Sequence, residues 1–149
     1  MMSWWRAALV AAAIGVLAAV APAGAVTVSP TGGGGSGIAG QPITPVELGA
    51  TVSDAPTPND EVQIVSVVWN WSVVSDSGPS SDSCYLPGTA PFQLSQPDPT
   101  SAAAELTGTP TTAGQYSFVL QCTVTYTMSD GTTVPGYGTI TVAVNVATA

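Results

Sequence analysis

Residues 115–146 constrain this chain more than any other stretch. Tyr116, Phe118, Leu120, Cys122, Val124, Tyr126 and Met128 occupy every second position, with Ser117, Val119, Gln121, Thr123, Thr125 and Thr127 between them. Successive side chains of a strand point to opposite faces, so this pattern predicts one long strand with an apolar face. Ile140, Val142, Val144 and Val146 alternate in the same way with Thr139, Thr141, Ala143 and Asn145. Between the two runs stands Asp130-Gly131, a signal for a two-residue hairpin turn whose central residues both need positive φ. The stretch therefore predicts a hairpin that buries one side. A single sheet would leave that side in water, so a second layer is required.

The rest of the chain supplies that layer. Val26 to Pro30 reads as a short opening strand. Thr31 to Gly40 contains G-G-G-G-S-G, the composition of a flexible connection, and at this length it predicts a loop within one domain. Val46, Leu48, Ala50 and Val52 alternate as a half-buried strand does. Residues 53–60 are turn chemistry. Within 62–74, Val65, Val67, Trp69, Trp71 and Val73 share one face. Val62 and Ile64 fall in the opposite phase, which predicts a bulge near Ile64. Residues 75–91 read as a loop carrying Cys84, Phe92 to Ser95 as a short strand, and Ala102 to Leu106 as a strand in spite of its helix-compatible Ala and Glu. Short strands separated by turn signals predict an all-β, immunoglobulin-like, two-sheet antiparallel sandwich.

The N-terminus reads as an address. Arg6, the one basic residue of the chain, precedes an unbroken apolar run from Ala7 to Ala21. Pro22 and Ala23-Gly24-Ala25 follow. This is the order of a secretory signal peptide, and the run is shorter than the roughly 20 residues that cross a bilayer. The expected organisation is a signal peptide over 1–25, removed after Ala25, and one domain over 26–149 with a Gly-rich loop at 31–40. The expected location is secreted or at the cell surface, with no stable membrane insertion after cleavage.

That organisation fixes the charge. Residues 26–149 contain no Lys, Arg or His, and loss of Arg6 takes the formal net charge from −8 to −9. Nucleic-acid binding rests on Lys and Arg neutralising phosphates, so nucleic acid is excluded as a partner. Anionic membrane surfaces are disfavoured for the same reason. Cys84 and Cys122 form an even pair in a chain expected outside the cytosol, which predicts one disulfide. The loop-entropy relation values it at about 4 kcal/mol.

The segment A-G-Q-Y-S-F-V-L-Q-C-T-V-T-Y-T-M-S-D-G at 113–131, followed by G-T-I-T-V-A-V at 138–144, resembles the end of bacterial immunoglobulin-like and PKD-like domains. V-V-W-N-W-S-V at 67–73 resembles their central tryptophan strand, and V-T-V-S-P at 26–30 their opening strand. Antibody-type domains place a Tyr two residues before the second Cys. Tyr116 stands six before Cys122, so an antibody-type disulfide is not implied, and Cys84 is expected to form a loop-to-strand staple. The resemblance implies a non-catalytic module of exported or cell-surface proteins.

Without His, Lys or Arg in residues 26–149, Ser–His and Cys–His nucleophile systems are excluded there, and phosphoryl transfer lacks its usual cations. The chain is therefore expected not to be an enzyme, and no cofactor is expected. A carboxylate-dependent hydrolase ranks third among the readings. Asp54, Asp60 and Glu61 cluster in one inter-strand segment and are weak candidates for Ca²⁺, which takes oxygen ligands from loops. Solvated turn acids are the plainer account of them. Tyr85 and Tyr137 lie in turn-rich sequence and are the candidates for an exposed ligand contact, whereas Trp69 and Trp71 fit a core face. The leading expectation is a structural, adhesive or surface-binding module whose partner is an extracellular protein or glycan. The alternative is a carbohydrate-binding module.

Overall fold

A computed structural model describes residues 26–79 and 91–149. The expected signal peptide at 1–25, and Asp82, Cys84 and Tyr85, lie outside the described residues. In chain order the strands are β1 (Val26–Gly32), β2 (Gly35–Ile38), β3 (Val46–Ser53), β4 (Ile64–Ser77), β5 (Phe92–Ser95), β6 (Ala104–Gly108), β7 (Gly114–Met128) and β8 (Thr133–Ala147).

Hydrogen bonding follows the path β4-β7-β8-β1-β3-β6-β5, and β2 pairs with β8. One half, β1-β3-β6-β5, is the A-B-E-D order of the immunoglobulin fold. The other half, β4-β7-β8, is its C-F-G order. The fold is therefore all-β and immunoglobulin-like on connectivity alone. A second mark of that fold is present: the Tyr116 hydroxyl, near the start of β7, donates to the Thr112 carbonyl at 2.7 Å. This is the tyrosine-corner arrangement.

The expectation of two separate antiparallel sheets needs correction. β1 is antiparallel to β3 from Thr27↔Ser53 to Gly32↔Leu48, but Val26 and Thr27 also pair in parallel with Gly136 and Tyr137 of β8. β2 runs parallel to β8 as well, from Gly35↔Val144 to Ile38↔Ala147. β1 thus joins the two halves into one continuous ladder that curls toward a barrel. Glycine makes the junction feasible. A Cβ on Gly136 would lie 2.6 Å from the Val26 carbonyl oxygen, and one on Gly138 would lie 2.2 Å from that of Val28.

The two ends of the ladder nearly meet. Residues 96–101, between β5 and β6, lie along the free edge of β4. Trp69 N donates to Pro99 O at 2.7 Å. The Gln96 side-chain amide acts as a short strand: Trp71 N donates to its Oε1 at 3.1 Å, and its Nε2 donates to Trp69 O at 3.0 Å. Trp71 Nε1 donates to Ala102 O at 2.7 Å. These bonds satisfy edge groups that would otherwise face solvent or another chain.

The core is what the period-two pattern requires. Tyr116, Phe118, Leu120, Cys122, Val124, Tyr126 and Met128 are all buried, together with Val142, Val144 and Val146 from β8. Phe92 meets Tyr116 and Phe118 edge-to-face, with centroids 4.9 Å apart in both cases. On β4, Val67, Trp69, Trp71 and Val73 pack on the core as expected. The bulge does fall near Ile64, between Ile64↔Met128 and Ser66↔Thr127. Val65 is the extra residue there and is turned outward, 60% exposed, so it leaves the face assigned to it. A second shift between Val73 and Ser75 turns Val74 out in the same way.

Two local expectations fail for physical reasons. The Gly-rich stretch 31–40 is not simply a loop, because Gly35–Ile38 forms β2. A Cβ on Gly35 would lie 2.7 Å from Val46 Cγ2, and one on Gly37 would lie 2.7 Å from Ile43 Cγ2. Here glycine serves close packing rather than flexibility. The β7–β8 hairpin forms, but not by the primed two-residue turn. Gly131 N donates to Met128 O at 2.9 Å, and Gly131 has φ +88° while Asp130 does not have positive φ. This is a turn followed by one left-handed glycine, the three-residue hairpin arrangement.

Candidate functional site

In β4, β7 and β8 the residues that alternate with the buried ones form a continuous outer face. Its centre is set by two cross-strand rows. Asn70 pairs with Thr123, which pairs with Tyr137; Ser72 pairs with Gln121, which pairs with Thr139. Tyr137 is flanked on its other side by Thr27 of β1. Asn70, Tyr137 and Thr139 are exposed, and Ser72, Gln121 and Thr123 are partly so. Thr123 Oγ1 donates weakly to Asn70 O at 3.4 Å.

No charged residue stands on this face along any of the three strands. The described acids lie elsewhere. Glu47 and Glu105 face each other across β3 and β6, in the other half of the ladder. Asp76 is in register with the buried Phe118 and so belongs to the other side of β4. Asp54, Asp60, Glu61, Asp98 and Asp130 lie between strands. Asp98 accepts from Thr100 N at 2.9 Å and from Thr100 Oγ1 at 2.7 Å. Those bonds hold its carboxyl below the usual value, the side-chain bond more than the backbone one.

The sequence-derived candidates fare unevenly. Tyr137 is exposed (40%), but it sits within β8 rather than in a turn. The glycines that made its surroundings look turn-like are those that admit β1. Trp71 is buried, and Trp69 packs beside it on the core. Asp54, Asp60 and Glu61 are exposed, and among the described residues no three acidic, cysteine or histidine side chains gather where a metal ion would sit. Cys122 is a free thiol, wholly buried opposite Trp71, and burial pushes it up to about 11. Its expected disulfide partner Cys84, and the ligand candidate Tyr85, lie outside the described residues. Among the described residues no helix is long and apolar enough to cross a membrane.

Sequence reasoning missed three elements. The outer face carries no apolar periodicity, and its only signal is the absence of charge from the residues between the buried ones. Gln96 left no trace, because one side chain bonding a distant strand has no local pattern. The Tyr116 hydroxyl bond was legible only as a Tyr near the start of a long strand.

No family model matches the sequence, and no curated protein matches it. Among solved structures, the chain is similar to an ASH/PapD-like domain of human CEP192 (PapD-like domain 7). The identity is 12% and the TM-score 0.49, over 82% of this chain and 86% of that one.

Proposed function

We propose that this chain is an exported, non-catalytic immunoglobulin-like module with a structural, adhesive or surface-binding role. The observation that carries the reading is the nature of the interior: among the described residues no charged side chain is buried, and the polar atoms of buried Tyr116 and Trp71 are spent on the backbone carbonyls of Thr112 and Ala102. Catalytic acids, bases and nucleophiles work from partly desolvated positions where their pKa values are tuned. The described acids sit on strands and turns with none of them buried, and in the reduced protein the buried Cys122 thiol is held protonated by its apolar surroundings. Export rests on the Arg6, Ala7–Ala21 and Ala23-Gly24-Ala25 pattern. In an oxidising compartment the Cys84–Cys122 staple would form.

The test is expression of the full chain in a secreting host, followed by fractionation and incubation of the recovered protein with cells. Protein found outside the cells, bound saturably to a surface and inert toward ester, peptide and glycoside substrates is the expected result. Retention in the cytosol, or turnover of any of those substrates, would overturn the reading.

A further inference from the structure

We infer that the outer face of β4, β7 and β8 is a binding platform for a neutral carbohydrate chain, centred on Tyr137. The inference rests on the surface-binding reading above and names its ligand class.

Residues 26–149 carry nine acids and no cation, yet all three strands of this face are free of charge on their outward positions. A protein partner would bring charged side chains that this face has nothing to answer. An anionic glycan would be repelled by the net charge of the whole molecule. A neutral sugar meets neither penalty. Its hydroxyls both donate and accept, as do the groups arrayed here: the amides of Asn70 and Gln121 and the hydroxyls of Ser72, Thr123, Thr139 and Tyr137.

Geometry adds an anchor. A sugar ring has an apolar C–H face, and Tyr137 offers a large, rigid, amphipathic surface that loses little entropy on binding. Its backbone is held between Thr123 and Thr27. Gly136 and Gly138, on either side of it, admit the β1 backbone so closely that the strand cannot shift freely. Neighbouring rows lie about 6.8 Å apart along the strands and about 4.8 Å apart between them. A chain laid across the face therefore meets polar groups on each side of Tyr137. The platform is pre-formed, which limits the ordering cost of binding.

The experiment measures retention of the purified full-length product on cellulose, chitin and neutral dextran, with heparin as an anionic control. The variants are Tyr137→Ala, Thr139→Glu and Asp60→Asn, each checked by thermal melt to be folded. The expected result is retention on at least one neutral polysaccharide, weakened about tenfold or more by Tyr137→Ala and by Thr139→Glu and unchanged by Asp60→Asn. Three results overturn the inference: no retention on any neutral polysaccharide, retention on heparin only, or retention that survives both face variants. Binding to whole cells that is abolished by protease but not by glycosidase treatment also overturns it, while leaving the surface-binding function standing. Absence of any surface binding by a cytosolic product is a failure of the broader reading instead.

Discussion

Replacing Gly138 with Ala tests the junction that makes one ladder out of two half-sandwiches. The added Cβ would fall 2.2 Å from the Val28 carbonyl oxygen and 2.8 Å from Pro30 Cδ, and ordinary contact begins at 3.4 Å. A backbone oxygen has no rotamer by which to escape, so β1 must move by about an ångström or more. If β1 shifts and stays docked, the cost is that of overpacking, about 1–3 kcal/mol. If it detaches, Val26 and Val28, both buried, lose their burial at about 1.5–3 kcal/mol each. The expected loss lies between these limits, about 2–4 kcal/mol. At about 3–5 °C per kcal/mol for a domain of this size, the melting temperature falls by roughly 10 °C. Gly33→Ala is the control. Nothing lies within 4 Å of the Cβ it would gain, and Gly33 does not have positive φ. That variant should melt at or slightly above the parent, because it narrows the unfolded ensemble. The assay is a thermal melt followed by circular dichroism. A Gly138→Ala protein melting within about 2 °C of the parent would refute the claim that close approach of β1 fixes this junction.

Three further outcomes follow from the same contacts. Gln96→Ala removes the bonds to Trp69 O, Trp71 N and Ser101 O; it should cost about 1–3 kcal/mol and raise self-association in light scattering, since it uncovers the β4 edge, and an unchanged melt and a monodisperse sample would contradict the closure. Glu105→Gln relieves the like-charge pair with Glu47 across β6 and β3 and should stabilise by a few tenths of a kcal/mol, about 0.2–1 at most, with the advantage shrinking in high salt; no gain at low salt would contradict it. In the reduced protein, burial raises the Cys122 thiol from 9.0 to about 11, so the folded state keeps a proton that the unfolded state releases in that window. Stability should therefore fall as pH rises from 9 toward 11, and Cys122→Ala should make that decline shallower; identical slopes for the two proteins would contradict the assignment.

How much of this was legible in the sequence follows from which forces leave a local pattern. β7 and β8 were plain because burial on one face writes itself at every second residue. The bulge at Ile64 was plain because a phase change in that pattern has few other causes. β2 was hidden because glycine stands for two opposite things, freedom in a linker and close approach in a sheet, and only the positions of Ile43 and Val46 decide between them. Tyr137 was misplaced into a turn for the same reason, since Gly136 and Gly138 answer to a strand more than a hundred positions away in the sequence. The parallel pairing of β1 with β8, and the Gln96 bonds that bring β4 to the other end of the ladder, are long-range and carried by backbone and one amide. They leave no periodicity to read. The candidate site was half legible: Tyr137 was singled out, but the uncharged rows around it acquired meaning only once the register showed that Asn70, Thr123 and Tyr137 stand abreast.

The central claim is that an immunoglobulin-like module beginning at Val26 works outside the cell. Intact mass and N-terminal sequencing of protein recovered from the medium of a secreting host test it most directly. The account predicts a product that begins at Val26, the first residue of β1. Protein that stays in the cytosol with Met1 retained would contradict it.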